Sequence, residues 1–486
     1  MAGAATRADE RPVTESPRPR RLRLLREHRP LALAIAAAAA LRVVTMLGYR
    51  PAKLYWVDSF TYIDVALRMR PSGGYQPGGF QPSGYPALLW LLRPFHSVAL
   101  VVGLQHLMGL AIGVMIYAVL RRRTALPSGY AVLAAVPGLF DARFLRLEHA
   151  VLSDTLFLFL VVSALTVLLW SPAPSPRAAA AAGSLLACAA LTRTIAVPLI
   201  LLAGAHLALG RFGPRPVLAL ATAGLLPLAA YACWFHSAHG RFSLASGDGV
   251  SLWARTMTFA DCRRIEPPPD LASLCPTGVR QDAASEYVWA PDSAINRAPG
   301  GLAGNNDRAR AFAVRAITAQ PFDYLGDVAH DTALAFTWTP VPHPGRVRPA
   351  FGFARERSEL PDQPAIAEAR TRYAGDIRGQ HSVDPYAGFL AAYQYPAYLR
   401  GPLLLAILVV GGVGGVGGVG ALGRRRAASL PWAGAVTLLV APVAVLDFDH
   451  RYLLPVIPIA CLAAGLAAGD LREKRAARRR EPPPHP

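Results

Sequence analysis

Along the chain, apolar residues gather in long runs separated by short polar or basic punctuation. The first run, Pro30–Tyr49, approaches the roughly 20 residues that a helix needs to cross a bilayer. Comparable runs follow at Ser97–Leu120, Ala125–Phe140, Val151–Trp170, Ala178–Leu191, Ile195–Leu209, Pro216–Phe235, Leu403–Leu422, Leu430–Leu446 and Leu453–Ala468. The pattern predicts an all-α polytopic membrane protein of about ten spans. Between His236 and Arg400 it becomes polar and proline-rich, which predicts a loop domain outside the bilayer; within it, NDRARAFAVRAITAQPFDYLGDVAHDTALAF reads as helix broken at Pro321.

Charge sets the orientation. Only 17% of the 486 residues are charged and 53% are hydrophobic, against about a quarter charged in an ordinary soluble domain. The net charge of +19 is carried by arginines that flank apolar runs: the N-terminal tail, Arg121–Arg123, Arg211 with Arg215, Arg424–Arg426 and the C-terminal tail. Such clusters mark cytoplasmic ends. No basic groove with interleaved aromatics suggests nucleic acid, and the tails suit anionic lipid heads. The organisation expected is a disordered basic tail (1–29), a membrane module (30–235) whose first outer loop is 50–96, the outer domain (236–400), a C-terminal membrane module (401–470) and a basic tail (471–486). Both termini are then cytoplasmic. One helix over Ala178–Leu209 would place Arg424–Arg426 outside, so a break is expected at Thr192-Arg193-Thr194.

Five cysteines give no zinc spacing. Cys188, Cys233 and Cys461 lie in apolar runs and read as inert buried residues. Cys262 and Cys275 are the two in the outer segment, thirteen positions apart, and a disulfide is expected there. The run GGVGGVGGVG permits close helix packing, although compositional drift produces such runs too.

The orientation drawn from arginines alone places Asp58, Asp141, Glu148, His149, Asp154, Arg193, Asp447, Asp449, His450 and Arg451 in four outer loops. Ionisable residues at membrane ends are costly and point to a shared site. Acids there can deprotonate an acceptor hydroxyl, and arginines can hold a departing phosphate. No GxxxxGK[ST] loop is present, so the energy source fits an activated lipid better than a nucleotide. Asp58 also stands where a helix N-cap would, before SFTYIDVALRM. Tyr62 and Tyr85 could stack on a sugar or belong to an interfacial aromatic belt. Asp64 reads as a solvated helix residue, and neither His149 nor His450 has a ligand partner within its own helix.

The stretches VDSFTYIDVA with QPSGYPALLWLL, LEHAVLSDTLFLFL, LTRTIAVPLI and DFDHRYLLPVIP resemble the GT-C superfamily of integral-membrane glycosyltransferases. The similarity is greatest to its bacterial protein-mannosyltransferase-like and aminoarabinose-transferase-like branch, over about Leu31–Ala260 and Pro402–Ala468. It implies transfer of a sugar from a polyprenyl-phosphate donor to an acceptor outside the membrane, with inversion. Asp58 matches the family's catalytic carboxylate of the first outer loop. Glu148 and Asp154 fall where the family keeps acids, and Arg193 and Arg451 where cations could meet the donor phosphate; Tyr62, Tyr85 and Asp449 are further candidate substrate-binding residues of this sequence. The paired acids of several members are absent: Ser59 follows Asp58. No metal ligand is assigned, and a divalent metal stays open, as do the sugar and the acceptor (protein, lipid or polysaccharide). Competing readings are a flippase or transporter of a lipid-linked envelope precursor and a non-catalytic envelope assembly protein. Against the transporter, the acids lie at helix ends and no duplicated halves are visible.

Overall fold

The computed structural model describes residues 20–55, 57–69, 81–277, 281–345, 352–355, 357–416 and 427–479. The tail before residue 20, residues 70–80 and the end of the glycine run lie outside the described residues. What is described is an all-α polytopic membrane fold. Among the described residues, four helices are long and apolar enough to cross a bilayer: Arg26–Gly48, Val98–Arg123, Pro214–His239 and His450–Ala476. Shorter apolar helices, Ser128–Phe140, Asp154–Leu169, Thr194–Leu209, Gly401–Gly414 and Ser429–Val445, coincide with further expected runs, as does Pro176–Thr192. The first helix begins at Arg20 and carries Pro30 inside it, so residues 20–29 continue that helix instead of belonging to a disordered tail.

Two features expected from charge and composition are present in detail. The chain breaks at Arg193, whose φ of −149° and ψ of 120° end one helix before a single 3-10 turn, Thr194–Ala196, starts the next. The described part of the glycine run packs tightly: a Cβ on Gly411 would sit 3.2 Å from Ala463, and one on Gly414 would collide with Ala467. Cysteine burial is as expected only at Cys461, since Cys188 and Cys233 are exposed.

The two ends of the bundle differ in chemistry. At one end Arg121 pairs with Glu27, Arg122 lies 4.8 Å over the Trp170 ring, and Glu473 accepts from the Ala125 amide at 3.2 Å. The other end carries the polar segment 236–400, which does not behave as one separate domain. Trp253, Leu274, Ile295 and Phe312 form a core of their own, and Cys262 is bonded to Cys275 beside it, with Cα atoms 6.2 Å apart. The later part of the segment straps onto the membrane module. Ile366, Tyr373 and Ile377 join the main core. Gln380–Ser382 pairs antiparallel with Tyr49–Arg50, in the register Tyr49↔Ser382. Isolated apolar residues in a polar sequence give no periodicity, so this division was not visible in the pattern.

Candidate active site

Asp58 is the first residue of the helix Asp58–Arg68; the N-cap position belongs to Val57, and no side chain caps this helix. The capping reading of Asp58 is therefore replaced by another. Its carboxylate accepts from Arg451 Nη1 at 2.7 Å and from Gln81 Nε2 at 3.3 Å. Arg451 continues the chain of charges, donating from Nε at 2.7 Å to Asp154 Oδ2, with Nη2 2.6 Å from the same oxygen. Asp154, at the start of its helix, also pairs with Arg193. The result is an alternating cluster, Asp58–Arg451–Asp154–Arg193, formally neutral, drawn from four segments that the arginine-derived orientation had placed on one face.

Exposure grades along this cluster. The Asp154 side chain is 1% exposed, Arg451 13%, Arg193 20% and Asp58 31%. Burial of paired charges is tolerated because each keeps a partner at hydrogen-bond distance. Arg193 uses Nη1 for Asp154 and stacks over the Tyr452 ring at 5.2 Å. Its other N–H groups have no partner among the described residues.

These side chains line one cavity of about 270 Å³. Its polar wall includes Asp58, Tyr62, Gln81, Ser153, Asp154, Arg193 and Arg451; its apolar wall includes Phe157, Ile195, Leu438, Pro442, Val445 and Leu446. Tyr62 shares a 2.9 Å hydrogen bond with Ser153. Burial pushes the Tyr62 phenol up despite the opposing Arg451 charge, so it stays protonated and able to donate.

Other residues singled out in the sequence lie elsewhere. Tyr85 does not line the cavity: it packs edge-on against Tyr62 at 4.9 Å and donates to Gln105 Oε1 at 2.7 Å. Asp449 caps the short helix His450–Leu453 by accepting from the Arg451 amide at 2.8 Å, which fixes the backbone that carries the cation. Glu148 is not brought to the cavity. It is buried against Arg42 Nη2 and His106 Nδ1, both at 2.8 Å, and its backbone oxygen accepts from Gln105 at 2.8 Å. His149 bonds the Tyr49 carbonyl, His450 lies 2.7 Å from the Val341 oxygen, and Asp141 pairs with Arg143 at 2.8 Å. Asp64 pairs with Arg68 on an exposed face.

Arg42, Gln105 and His106 were missed by the sequence reading. Arg42 could have been found as an isolated charge inside the first apolar run, a position that demands a partner.

No family model and no curated protein matches this sequence. Among solved structures the chain is similar to the apo oligosaccharyltransferase of Archaeoglobus fulgidus, with 12% identity and a TM-score of 0.45, over 94% of this chain and 52% of that one. It is also similar to ArnT from Cupriavidus metallidurans, with 15% identity and a TM-score of 0.35 for the apo state, over 94% of this chain and 81% of that one. The ArnT structure bound to undecaprenyl phosphate gives 13% and 0.34, over 94% and 82%. The chain spans about half the length of the oligosaccharyltransferase it matches. At this level the likeness assigns no residue a role; the roles below rest on the cavity itself.

Proposed function

We propose that this chain is a GT-C-type glycosyltransferase that moves a sugar from a polyprenyl-phosphate donor to an acceptor hydroxyl, with inversion. The reaction is assigned to the extracytoplasmic face of a bacterial cell membrane. The observation that carries the reading is one cavity holding a part-exposed carboxylate, two guanidinium groups and an apolar wall. Asp58 takes the acceptor proton as the acceptor oxygen attacks the anomeric carbon. The bond from that carbon to the phosphate oxygen breaks, and the lipid phosphate leaves with the electron pair. Arg193, with N–H groups to spare, and Arg451 hold the phosphate while its charge grows, where little water competes. The wall of Phe157, Leu438, Pro442 and Leu446 suits the first isoprene units. Attack from the face opposite the phosphate in a single displacement inverts the anomeric centre.

Purified protein given a synthetic short-chain polyprenyl-phosphate sugar should release the lipid phosphate in an acceptor-dependent reaction. Transbilayer movement of that donor without its cleavage would support the transporter reading instead. A cysteine introduced at Gly304 should react with an impermeant reagent on intact cells; labelling only after permeabilisation would reverse the orientation.

A further inference from the structure

Beside the cavity, three residues remote in sequence meet in one place. Asp331 comes from the helix Pro321–Ala333, His343 from the loop that follows, and Asp447 from the turn after Ser429–Val445. One ligand atom of each lies within 4.8 Å of the other two. His343 Nε2 and Asp447 Oδ1 are 2.7 Å apart. All three side chains are nearly enclosed, at 9%, 7% and 5% exposure.

Two further observations point to a cation. The first is the charge balance. Arg255, fully buried, pairs with Asp331 at 2.6 Å and with Asp327 at 2.8 Å. Asp447 favours the charged form of the His343 imidazole, so Asp327, Asp331 and Asp447 set three negative charges against Arg255 and that imidazole, leaving one, with Asp327 the part-exposed member. A divalent ion in place of the imidazole proton cancels the remainder, which would otherwise be costly at the enclosed carboxylates. The second is how the carboxylates are held. Asp331 Oδ2 is fixed by Arg255, and Asp447 Oδ2 accepts from the Ser285 amide at 3.0 Å. Asp447 Oδ1 also accepts from the Phe448 amide at 2.8 Å, so both carboxylates are held by supporting donors with Oδ1 turned to the shared space, as ligating carboxylates commonly are. His330 Nδ1 lies 3.1 Å from Asp331 Oδ1 at the exposed rim, and Asp282 holds the Gly345 amide at 2.6 Å on the other side.

We propose that Asp331, His343 and Asp447 bind a divalent transition ion of the zinc type, with water completing the coordination. Imidazole with two carboxylate oxygens is a donor set such ions accept. With bonds of about 2.0–2.2 Å, neighbouring ligand atoms in a tetrahedral site sit roughly 3.3–3.6 Å apart, so the widest pair closes by about 1.5 Å at most while the His343–Asp447 pair, 2.7 Å apart, opens by about 0.6–0.9 Å. Asp58 takes no part in the site. The ion would staple the outer segment to the turn carrying Asp447, four residues before Arg451, and thereby steady one wall of the cavity. The inference stands apart from the transferase reading, because ion binding is measured without turnover.

The test is zinc binding to the purified full chain by calorimetry, with the visible spectrum of the cobalt form as a second readout. One ion per chain is expected, with the intense bands of a low-symmetry four-coordinate cobalt centre. His343→Ala and Asp447→Asn should each weaken binding by more than about 100-fold, because losing even a supporting residue costs 10–100-fold. His343→Gln keeps a donor for Asp447 but ligates poorly. Its ion-free thermal midpoint should match the wild type, while the rise that zinc gives the wild type should vanish. This variant decides the matter if His343→Ala fails to fold. Absence of saturable binding in the wild type, or unchanged affinity in the variants, overturns the site.

Discussion

Replacing Asp154 by Asn should destabilise the protein by about 3 kcal/mol, the lower part of the roughly 3–5 kcal/mol range for removing one partner of a buried ion pair. Asn keeps the volume and one acceptor oxygen but removes the charge that both guanidinium groups share. The figure falls at the lower end for two reasons visible in the geometry. Arg451 retains Asp58 at 2.7 Å, and Arg193, 20% exposed, can turn part of its guanidinium to water. The control is Asp64→Asn, which breaks an exposed i,i+4 pair with Arg68 and should cost no more than about 0.5 kcal/mol. Both are measured by denaturant titration in one detergent, following tryptophan fluorescence. Adding Arg193→Gln to Asp154→Asn should restore about 1 kcal/mol, since it removes the orphaned cation. A loss at Asp154 no larger than at Asp64, or no recovery in the double variant, would refute the reasoning that this cluster is a tightly coupled buried network.

Arg193→Ala should raise the dissociation constant for a short-chain polyprenyl phosphate by about 10–100-fold, the equivalent of one charge-assisted hydrogen bond; unchanged affinity by calorimetry would leave Arg193 as a structural partner of Asp154. Gly84→Ala should impair turnover, because its new Cβ would lie 2.6 Å from the Leu191 oxygen and 2.7 Å from the Thr192 nitrogen, forcing the turn at Arg193 to move at a cost of about 1–3 kcal/mol. Normal turnover and stability would show that the contact relaxes freely. Cys262→Ser with Cys275→Ser should lower stability by about 2–4 kcal/mol, and reducing agent should lower the wild type's thermal midpoint but not the variant's; equal sensitivity would argue against a stabilising disulfide.

The site was legible in the sequence to the extent that charge bias determines which end of a helix a residue occupies. Arginine flanks placed Asp58, Asp154, Arg193 and Arg451 at one end of the bundle, and there the four meet. Which of them pair was not legible. Arg451 and Asp58 are 393 positions apart, and nothing in a one-dimensional pattern separates the turn that delivers Asp154 to the cavity from the helix end that turns Glu148 toward Arg42. Glu148 and Asp154 are six residues apart in LEHAVLSD, yet a buried pair claims the first and the cavity the second. The same limit hid Asp331 and His343, whose partner Asp447 stood in view in DFDHRY. The break at Thr192–Thr194 was legible because only two helices satisfied the charge bias downstream. The strap from Ile366 to Ser382 was not, because its few apolar residues carry no period.

The central claim is that Asp58 serves as the general base, and Asp58→Asn tests it most directly. The amide preserves shape and can still accept a hydrogen bond from Arg451, so the cavity and its two guanidinium groups stay in place. Turnover of a synthetic polyprenyl-phosphate sugar should fall by about 10²–10⁴-fold, the usual contribution of a positioned base, while donor affinity changes by no more than a few-fold and the protein remains folded. Turnover retained within a few-fold of the wild type would contradict the account and leave Asp58 as a structural counter-ion of Arg451.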